Sequence, residues 1–179
     1  MSHFITLNDK NFKPYIDQQR IATEVKRIAK EINSDLMNEF PIFLAVLNGS
    51  FMFASDLLKE IEIPCEISFI KLVSYEGLES SGTVKELIGL NQNIENRTVV
   101  IIEDIVDSGV TIEKLVSLLN IEKAKKIKVA TVLFKPDAYK KKFAIDYIGF
   151  KIPSKFVLGY GLDYAQKYRN LRSIYMLSE

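Results

Sequence analysis

Residues 99–111 read VVIIEDIVDSGVT, and they give the clearest indication of the fold. Its apolar, β-branched start predicts a strand over 98–102 that is covered on both faces, as strands of parallel sheets are. Two adjacent acids, Glu103 and Asp104, end that strand, and a short turn with Asp, Ser, Gly and Thr follows. The turn leads into a predicted helix whose apolar residues recur at helical spacing, namely Ile112, Leu115, Val116 and Leu119.

Strands and helices alternate through the rest of the sequence. Apolar residues at spacings of three and four predict a helix over 17–39 that ends before Pro41. The apolar run 42–47 predicts a second buried strand, and a helix over about 50–60 follows, with Ser50 as its possible N-cap. The other predicted elements are strands over 65–73, 84–90, 127–134 and 145–150 and a polar, glycine-bearing loop over 74–82.

This alternation predicts an α/β fold in one domain, residues 1–179. Successive βαβ units give a twisted, mainly parallel sheet with helices on both faces. In such sheets ligands bind beyond the carboxyl ends of the strands. The acids and the turn within 103–111 are predicted to lie at that edge, so we expect the chemistry there.

The composition argues against several classes of function. The chain has 179 residues, 47% of them apolar, and its net charge of +1 gives no reason to expect general binding to nucleic acid or membranes. The start, MSHFITLNDK, lacks the apolar stretch of a secretory signal, and no apolar run is long enough to span a bilayer. One His and one Cys, Cys65, argue against a His-based triad, a zinc cluster and a disulfide framework. We therefore expect a reducing, cytoplasmic compartment.

The turn after the strand has the features of an anion-binding site. Backbone N–H groups in a glycine-bearing turn at a helix N-terminus form a cradle for phosphate, and Ser108 and Thr111 add hydroxyl donors. Glu103 and Asp104 are acceptors when ionised, which suits a diol or metal-bound water. Each of these residues alone also fits ordinary capping and turn chemistry. Three acids here, including Asp107, are costly to desolvate without a ligand or a cation, so together they describe a ribose 5-phosphate site.

Other sequence patterns that could explain these acids and glycines are absent or incomplete. The sequence has no G-x-x-x-x-G-K-[ST], so P-loop phosphoryl transfer lacks its lysine. Gly159-Tyr160-Gly161 resembles the start of a dinucleotide fingerprint, but Tyr164 stands where the third glycine belongs. A phospho-acceptor receiver domain also carries paired acids, but after its first strand, whereas the pair here lies beyond residue 100.

The stretch 99–111 closely resembles the phosphoribosyl pyrophosphate motif of the type I phosphoribosyltransferases. Further similarity, in unbroken order over roughly 42–179, points to their hypoxanthine–guanine branch. The resemblance implies the type I phosphoribosyltransferase fold, with a small hood and a flexible loop. The segments that carry it are Leu47-Asn48-Gly49-Ser50, Ser74-Tyr75, Lys135 and Lys155-Phe156-Val157-Leu158-Gly159-Tyr160-Gly161-Leu162-Asp163-Tyr164, continuing to Arg169 and Leu171.

The resemblance also implies a reaction. It is the Mg²⁺-dependent transfer of a phosphoribosyl group from phosphoribosyl pyrophosphate to N9 of hypoxanthine or guanine, in purine salvage. The implied partners are phosphoribosyl pyrophosphate and a 6-oxopurine, and the implied assembly is a homodimer or homotetramer. Two alternatives stay open: a nucleotide-binding regulator of the same fold that binds RNA, and a sister enzyme that prefers xanthine or adenine.

By the same resemblance, the acids and the turn hold the sugar phosphate. Glu103 and Asp104 are expected to face the ribose hydroxyls and, with Asp163, to serve Mg²⁺ and its waters. Asp107 is the predicted catalytic residue, because it is expected to handle the proton on purine N7. The residues expected to hold the 5-phosphate are Asp107, Ser108, Gly109, Val110 and Thr111.

The resemblance assigns the remaining contacts to side chains from several segments. Lys135 is expected to donate to the 6-oxo group of the base. Ile105 and Phe156 are expected to sandwich the base, and the backbone of Val157 and Asp163 to read its other edge. Asn48, Gly49 and Arg169 are expected to bind pyrophosphate. A loop with Ser74 and Tyr75 is expected to close over the reacting centre.

One position departs from the family. The family often has Lys where this chain has Asn48, so the side chain keeps its hydrogen-bonding groups but loses the cation. A turn at this point in the family also tends to carry a non-proline cis peptide bond. The bond concerned here is Leu47–Asn48.

Overall fold

The computed structural model describes residues 4–7, 10–73, 85–88 and 92–178. Within these ranges the chain has three helices and ten strands. None of these helices combines the length and the apolar character that crossing a bilayer requires. In chain order the elements are β1 Ile5–Leu7, β2 Lys10–Ile16, α1 Gln18–Asp35, β3 Ile42–Val46, α2 Phe51–Lys59, β4 Glu66–Val73, β5 Lys85–Ile88, β6 Thr98–Val106, α3 Val110–Ile121, β7 Lys126–Phe134, β8 Tyr147–Lys151, β9 Val157–Leu158 and β10 Ile174–Leu177.

The larger sheet confirms the predicted fold class. Its strand order is β5-β4-β3-β6-β7-β8, and every neighbouring pair is parallel except β4 with β5. Side chains of β3 alternate between the two faces, which places Phe43 and Ala45 in one core and Ile42 and Leu44 in the other. Helices α1 and α2 cover the first face, and α3 covers the second. A parallel sheet buried on both sides is the result.

A smaller antiparallel sheet joins the two ends of the chain. Its order is β1-β2-β10-β9, and Met176 of β10 lies opposite Lys13 of β2. Phe12 and Leu158 form the centre of its own small core. This sheet corresponds to the hood that the resemblance implied, although none of its strands was predicted individually.

Several predicted boundaries are corrected by the structure. Helix α1 ends at Asp35 rather than at 39, and Asp17 caps its start by accepting hydrogen bonds from two backbone N–H groups. Strand β6 continues through both acids to Val106, because Glu103 still pairs in register with Thr131 of β7. Ser50 precedes α2 but does not cap it with its side chain. Its hydroxyl donates instead to the carbonyl of Val46 at 2.7 Å. The predicted loop 74–82 lies outside the described residues.

Candidate active site

Three cavities adjoin at the carboxyl ends of β3, β6 and β7, and Ile105 lines all of them. The large cavity, about 380 Å³, lies between the end of β3 and the start of α3. The turn cavity, about 90 Å³, is built almost wholly from residues 105–112. The Lys135 cavity, about 160 Å³, lies towards the loop that follows β9. The predicted edge of the sheet is therefore concave.

The turn cavity is shaped by the start of α3. Gly109 stands at the N-cap position with a φ of 81°, a left-handed conformation that favours glycine, and no side chain caps the helix. A Cβ on Gly109 would lie 2.4 Å from the ring of Tyr139, so the turn also needs glycine for space. The first N–H groups of the helix are left without a capping side chain, and they are available to an anion.

Glu103 and Asp104, the two acids of β6, are buried to different extents, but in both the ionised form is disfavoured. Glu103 is only 6% exposed, and its burial, with the neighbouring charge of Asp104, raises its pKa well above its usual range. Burial also raises the pKa of Asp104 to about 6, against a smaller opposing effect of the Ile105 N–H that donates to its Oδ1 at 2.8 Å. Ionised carboxylates are disfavoured here unless a ligand or a cation offsets their charge.

Two glycines bring distant parts of the chain against Asp104. A Cβ on Gly49 would lie 1.6 Å from Oδ2 of Asp104, so the loop after β3 contacts this carboxylate through a bare Cα. A Cβ on Gly161, whose φ is 98°, would lie 1.9 Å from the carbonyl oxygen of Gly49. The peptide bond Leu47–Asn48, just before this contact, is cis.

We expect Asp104→Asn to stabilise the ligand-free protein above pH 6. The pKa of Asp104 rises from 3.8 to about 6 on folding, so the native state binds more protons than the unfolded state between these values. Stability is therefore lost as the pH rises through that window, and the loss is complete above it. Asparagine keeps the acceptor for the Ile105 N–H but cannot ionise. A gain of roughly 1–3 kcal/mol in the free energy of unfolding is expected at pH 7.5.

Urea unfolding at pH 4, 5, 6 and 7.5 measures this gain. The difference between Asp104→Asn and the unsubstituted chain should shrink towards zero as the pH falls to 4. Asp137→Asn, which removes an exposed carboxylate, is the matched control and should show no such trend. A gain that is the same at every pH would mean that ionisation of Asp104 is not its cause.

The Lys135 cavity joins a cation to an acid of the turn. The backbone N–H of Lys135 donates to the carbonyl of Val106 at 2.9 Å, which places Lys135 directly beside Asp107. Its Nζ lies 2.6 Å from Oδ2 of Asp107, and the Lys135 side chain is only 12% exposed. Phe156 lines the same cavity, is 44% exposed, and meets the ring of Tyr164 edge-on. A flat apolar face and a largely buried ammonium thus border one space, which Ile105 also lines.

The segment between β9 and β10 contains a second ion pair near the site. Arg169 lies 2.6 Å from a carboxylate oxygen of Asp163 and donates to the carbonyl of Gly161 at 2.9 Å. Asp163 also lines the Lys135 cavity together with Asp104. This pair therefore fixes the loop that packs on Gly49.

Comparison with known proteins identifies the family. A sequence model of the phosphoribosyl transferase domain matches residues 13–165. The chain belongs to the phosphoribosyltransferase family. It is 42% identical over 166 residues to the hypoxanthine-guanine phosphoribosyltransferase of Bacillus subtilis (strain 168), and the match covers 92% of each chain.

Solved structures support the assignment of the chain to the phosphoribosyltransferase family. A hypoxanthine-guanine phosphoribosyltransferase from Bacillus anthracis superposes with a TM-score of 0.84 at 38% identity, covering 92% of this chain and 96% of the other. A hypoxanthine phosphoribosyltransferase from Staphylococcus aureus gives a TM-score of 0.86 at 37% identity, covering 92% and 90%. The predicted family is confirmed, and so is the prediction that the chain is an enzyme of the hypoxanthine–guanine type.

The phosphoribosyltransferase brings together most of its predicted site residues. Glu103, Asp104 and the turn from Asp107 to Thr111 line the large cavity or the turn cavity. Gly49 lines the large cavity, whereas Asn48 is not among the described residues that do so. The predicted closing-loop residues Ser74 and Tyr75 lie outside the described residues. The predicted base-side residues share the Lys135 cavity, and they are Ile105, Lys135, Phe156, Val157 and Asp163.

Three residues of the phosphoribosyltransferase's large cavity were not predicted. Val46 and Leu72 come from the ends of β3 and β4, and Lys114 comes from α3. Lys114 stands three residues after Thr111, and this helical spacing was the signal that would have placed both on one face.

No metal centre is built from protein side chains alone in the described ranges. Those residues of the phosphoribosyltransferase contain no group of three or more His, Cys, Asp or Glu that could hold a metal ion. Mg²⁺ usually takes one or two protein carboxylates and fills its remaining positions with water and substrate phosphates. The buried pair of Glu103 and Asp104, with raised pKa values, fits such a substrate-borne ion because a cation would offset its charge.

Proposed function

We propose that this phosphoribosyltransferase transfers the 5-phosphoribosyl group of phosphoribosyl pyrophosphate to N9 of hypoxanthine or guanine. The products are the purine nucleoside monophosphate and pyrophosphate, as purine salvage requires. One observation carries the proposal: a phosphate-sized turn cavity, a carboxylate-lined cavity and a cavity with a lysine and an aromatic face all meet at Ile105. The product joins a phosphate, a ribose diol and a 6-oxopurine, one group for each cavity.

The sugar phosphate is held by the end of β6 and the start of α3. The uncapped N–H groups of the first helical turn donate to the 5-phosphate, and the hydroxyls of Ser108 and Thr111 add donors. Glu103 and Asp104 accept from the two ribose hydroxyls when they are ionised. Fixing both ends of the sugar aligns C1 with the incoming base, which is the main contribution of the protein to the rate.

The base is held by groups from three segments. Ile105 and Phe156 cover its two faces, and the ammonium of Lys135 donates to its 6-oxo group. As the bond from C1 to pyrophosphate oxygen breaks and the bond from C1 to N9 forms, the base loses a proton. Asp107, whose carboxylate lies 2.6 Å from the ammonium of Lys135, accepts that proton from N7.

Mg²⁺ is the cofactor in this proposal. Glu103, Asp104 and Asp163 are the residues that would hold it, directly or through water, beside the oxygens of phosphoribosyl pyrophosphate. When bound, the ion supplies Lewis-acid stabilisation of the charge that grows on pyrophosphate. A homodimer or homotetramer in the cytoplasm stays a prediction, and with a net charge of +1 we do not propose the RNA-binding alternative.

An assay of pyrophosphate release tests the proposal. Purified protein with Mg²⁺ and phosphoribosyl pyrophosphate should release pyrophosphate when hypoxanthine or guanine is added, and far less with adenine. Chelation of Mg²⁺ should stop the reaction, and a mixture without base measures simple hydrolysis as the control. If neither hypoxanthine nor guanine is consumed, the proposed function is wrong. If xanthine or adenine is the best substrate, the sister-enzyme alternative replaces it.

A further inference from the structure

The large cavity has an unusual balance of charge for a site that takes a highly anionic substrate. Two of its lining residues, Glu103 and Asp104, are acids, and the loop residues Leu47 and Gly49 bring no cation. Among the described residues that line it, only Lys114 carries a positive charge. Of the described residues that line this cavity, a substrate diphosphate therefore meets one cationic side chain, and that side chain comes from α3.

The position of Lys114 on α3 directs it to the large cavity rather than to the turn cavity. Val110 and Thr111 line both cavities, but Lys114, one turn further along the same face, lines only the large one. The turn cavity, about 90 Å³, is the one lined by the turn and the first residues of α3, from Asp107 to Ile112. Lys114 is therefore not needed to bind the 5-phosphate. It lines instead the cavity that would hold the other phosphates of the substrate.

Among the described residues, Lys114 has no carboxylate partner of the kind that pairs with other lysines nearby. Lys141 pairs with Glu113 at 2.6 Å, and Lys135 pairs with Asp107 at the same distance. In the described part of the chain no carboxylate is paired with Lys114. Its ammonium can therefore bind an incoming anion without first giving up an ion pair.

We propose that Lys114 binds the diphosphate arm of phosphoribosyl pyrophosphate and the pyrophosphate product. It is a specificity-determining residue for that arm, and it supplies the cation that the loop with Asn48 does not. This inference rests on the proposed function, which defines the substrate. The charge of Lys114 matters more than its shape, because a phosphate oxygen can accept from an ammonium or from a guanidinium.

Substitution of Lys114 tests the proposal through two product ligands. Lys114→Gln should weaken inhibition by pyrophosphate, and raise the KM for phosphoribosyl pyrophosphate, by about tenfold, the lower end for a hydrogen bond to a charged group. The KM for hypoxanthine and the affinity for inosine monophosphate, which carries only the 5-phosphate, should stay within a factor of about two. Lys114→Arg should restore most of the loss, because it keeps the cation.

The outcomes separate this inference from the proposed function. Lys26→Gln removes an exposed charge from α1 and should change none of these constants, which controls for net charge. If the unsubstituted enzyme makes inosine monophosphate but Lys114→Gln binds pyrophosphate as tightly, the role of Lys114 is overturned and the proposed function stands. Equal weakening of inosine monophosphate and pyrophosphate would also overturn it, since Lys114 would then serve the 5-phosphate. If the unsubstituted enzyme makes no nucleotide with any purine, the proposed function itself fails.

Discussion

Replacing Asp107 with asparagine is expected to lower the turnover number with hypoxanthine by about 10²–10⁴-fold, the usual contribution of a general acid–base group. Asparagine matches the size of aspartate and keeps an acceptor oxygen, but it cannot take a proton from N7. The substitution also removes the ion pair with Lys135, at 2.6 Å, whose carboxylate side is 51% exposed. Because the carboxylate of this pair is half-exposed to solvent, its loss should cost little stability, and the chain should stay folded.

The measurement is kcat and KM for both substrates, together with thermal unfolding. We expect kcat to fall while the KM for phosphoribosyl pyrophosphate changes much less, because the backbone cradle of the turn is retained. Asp137→Asn, three residues beyond the described β7, makes the same chemical change at an exposed carboxylate outside the three cavities and should keep full activity. Turnover near that of the unsubstituted enzyme in Asp107→Asn would leave Asp107 as a residue of the phosphate turn only.

The features that were predicted from sequence are those that short segments encode. A continuous apolar run predicts a buried parallel strand, and Gly109 before a helix predicts a turn with free N–H groups, because both depend on neighbours within a few residues. The order of strands and helices then restricts the fold to few topologies. For this reason the stretch 99–111 predicted the strand β6, the turn after it and the helix α3.

The features that were missed depend on contacts between distant segments. The antiparallel sheet pairs Phe12 of β2 with Leu177 of β10, which lie at opposite ends of the sequence, and β9 has only two residues. No local sequence pattern therefore predicts these strands. Strand β6 extends past its apolar part because β7 supplies hydrogen-bonding partners as far as Phe134, opposite Val106. Propensity is overridden there by the neighbouring strand.

The geometry of the site likewise comes from tertiary contacts. The ion pair of Lys135 with Asp107 joins residues 28 positions apart, and the packing of Gly49 on Asp104 joins two strand ends. Sequence predicted that Lys135 faces the base, but not that its ammonium is already held by the predicted catalytic acid. That pairing means that a base which enters the cavity must share Lys135 with Asp107, so the two residues are coupled in any substitution experiment.

The choice of base is therefore best tested by substituting Lys135 and comparing kcat/KM for hypoxanthine with kcat/KM for adenine. An ammonium offers only donors and the oxo group at C6 offers only acceptors, so hypoxanthine and guanine satisfy it. Adenine presents an amino donor at C6, so Lys135, 12% exposed, would face a donor and gain no acceptor from the base. Sites of this kind reject the wrong partner by up to roughly 10⁴–10⁵-fold. We expect most of that preference for hypoxanthine over adenine to be lost in Lys135→Met.

The ratio of kcat/KM for hypoxanthine to that for adenine isolates this effect. Loss of the ion pair with Asp107 lowers both values alike, so it cancels in the ratio, whereas the mismatch at C6 affects adenine alone. Lys135→Gln is the matched variant, because its amide can donate to an oxo group or accept from an amino group, and it should bring the ratio closest to one. Phe156 cannot supply the discrimination, since stacking accepts either base. A ratio unchanged in both variants would remove Lys135 as the reader of C6, and selectivity would then have to come from the backbone groups of Val157 and Asp163, which line the same cavity.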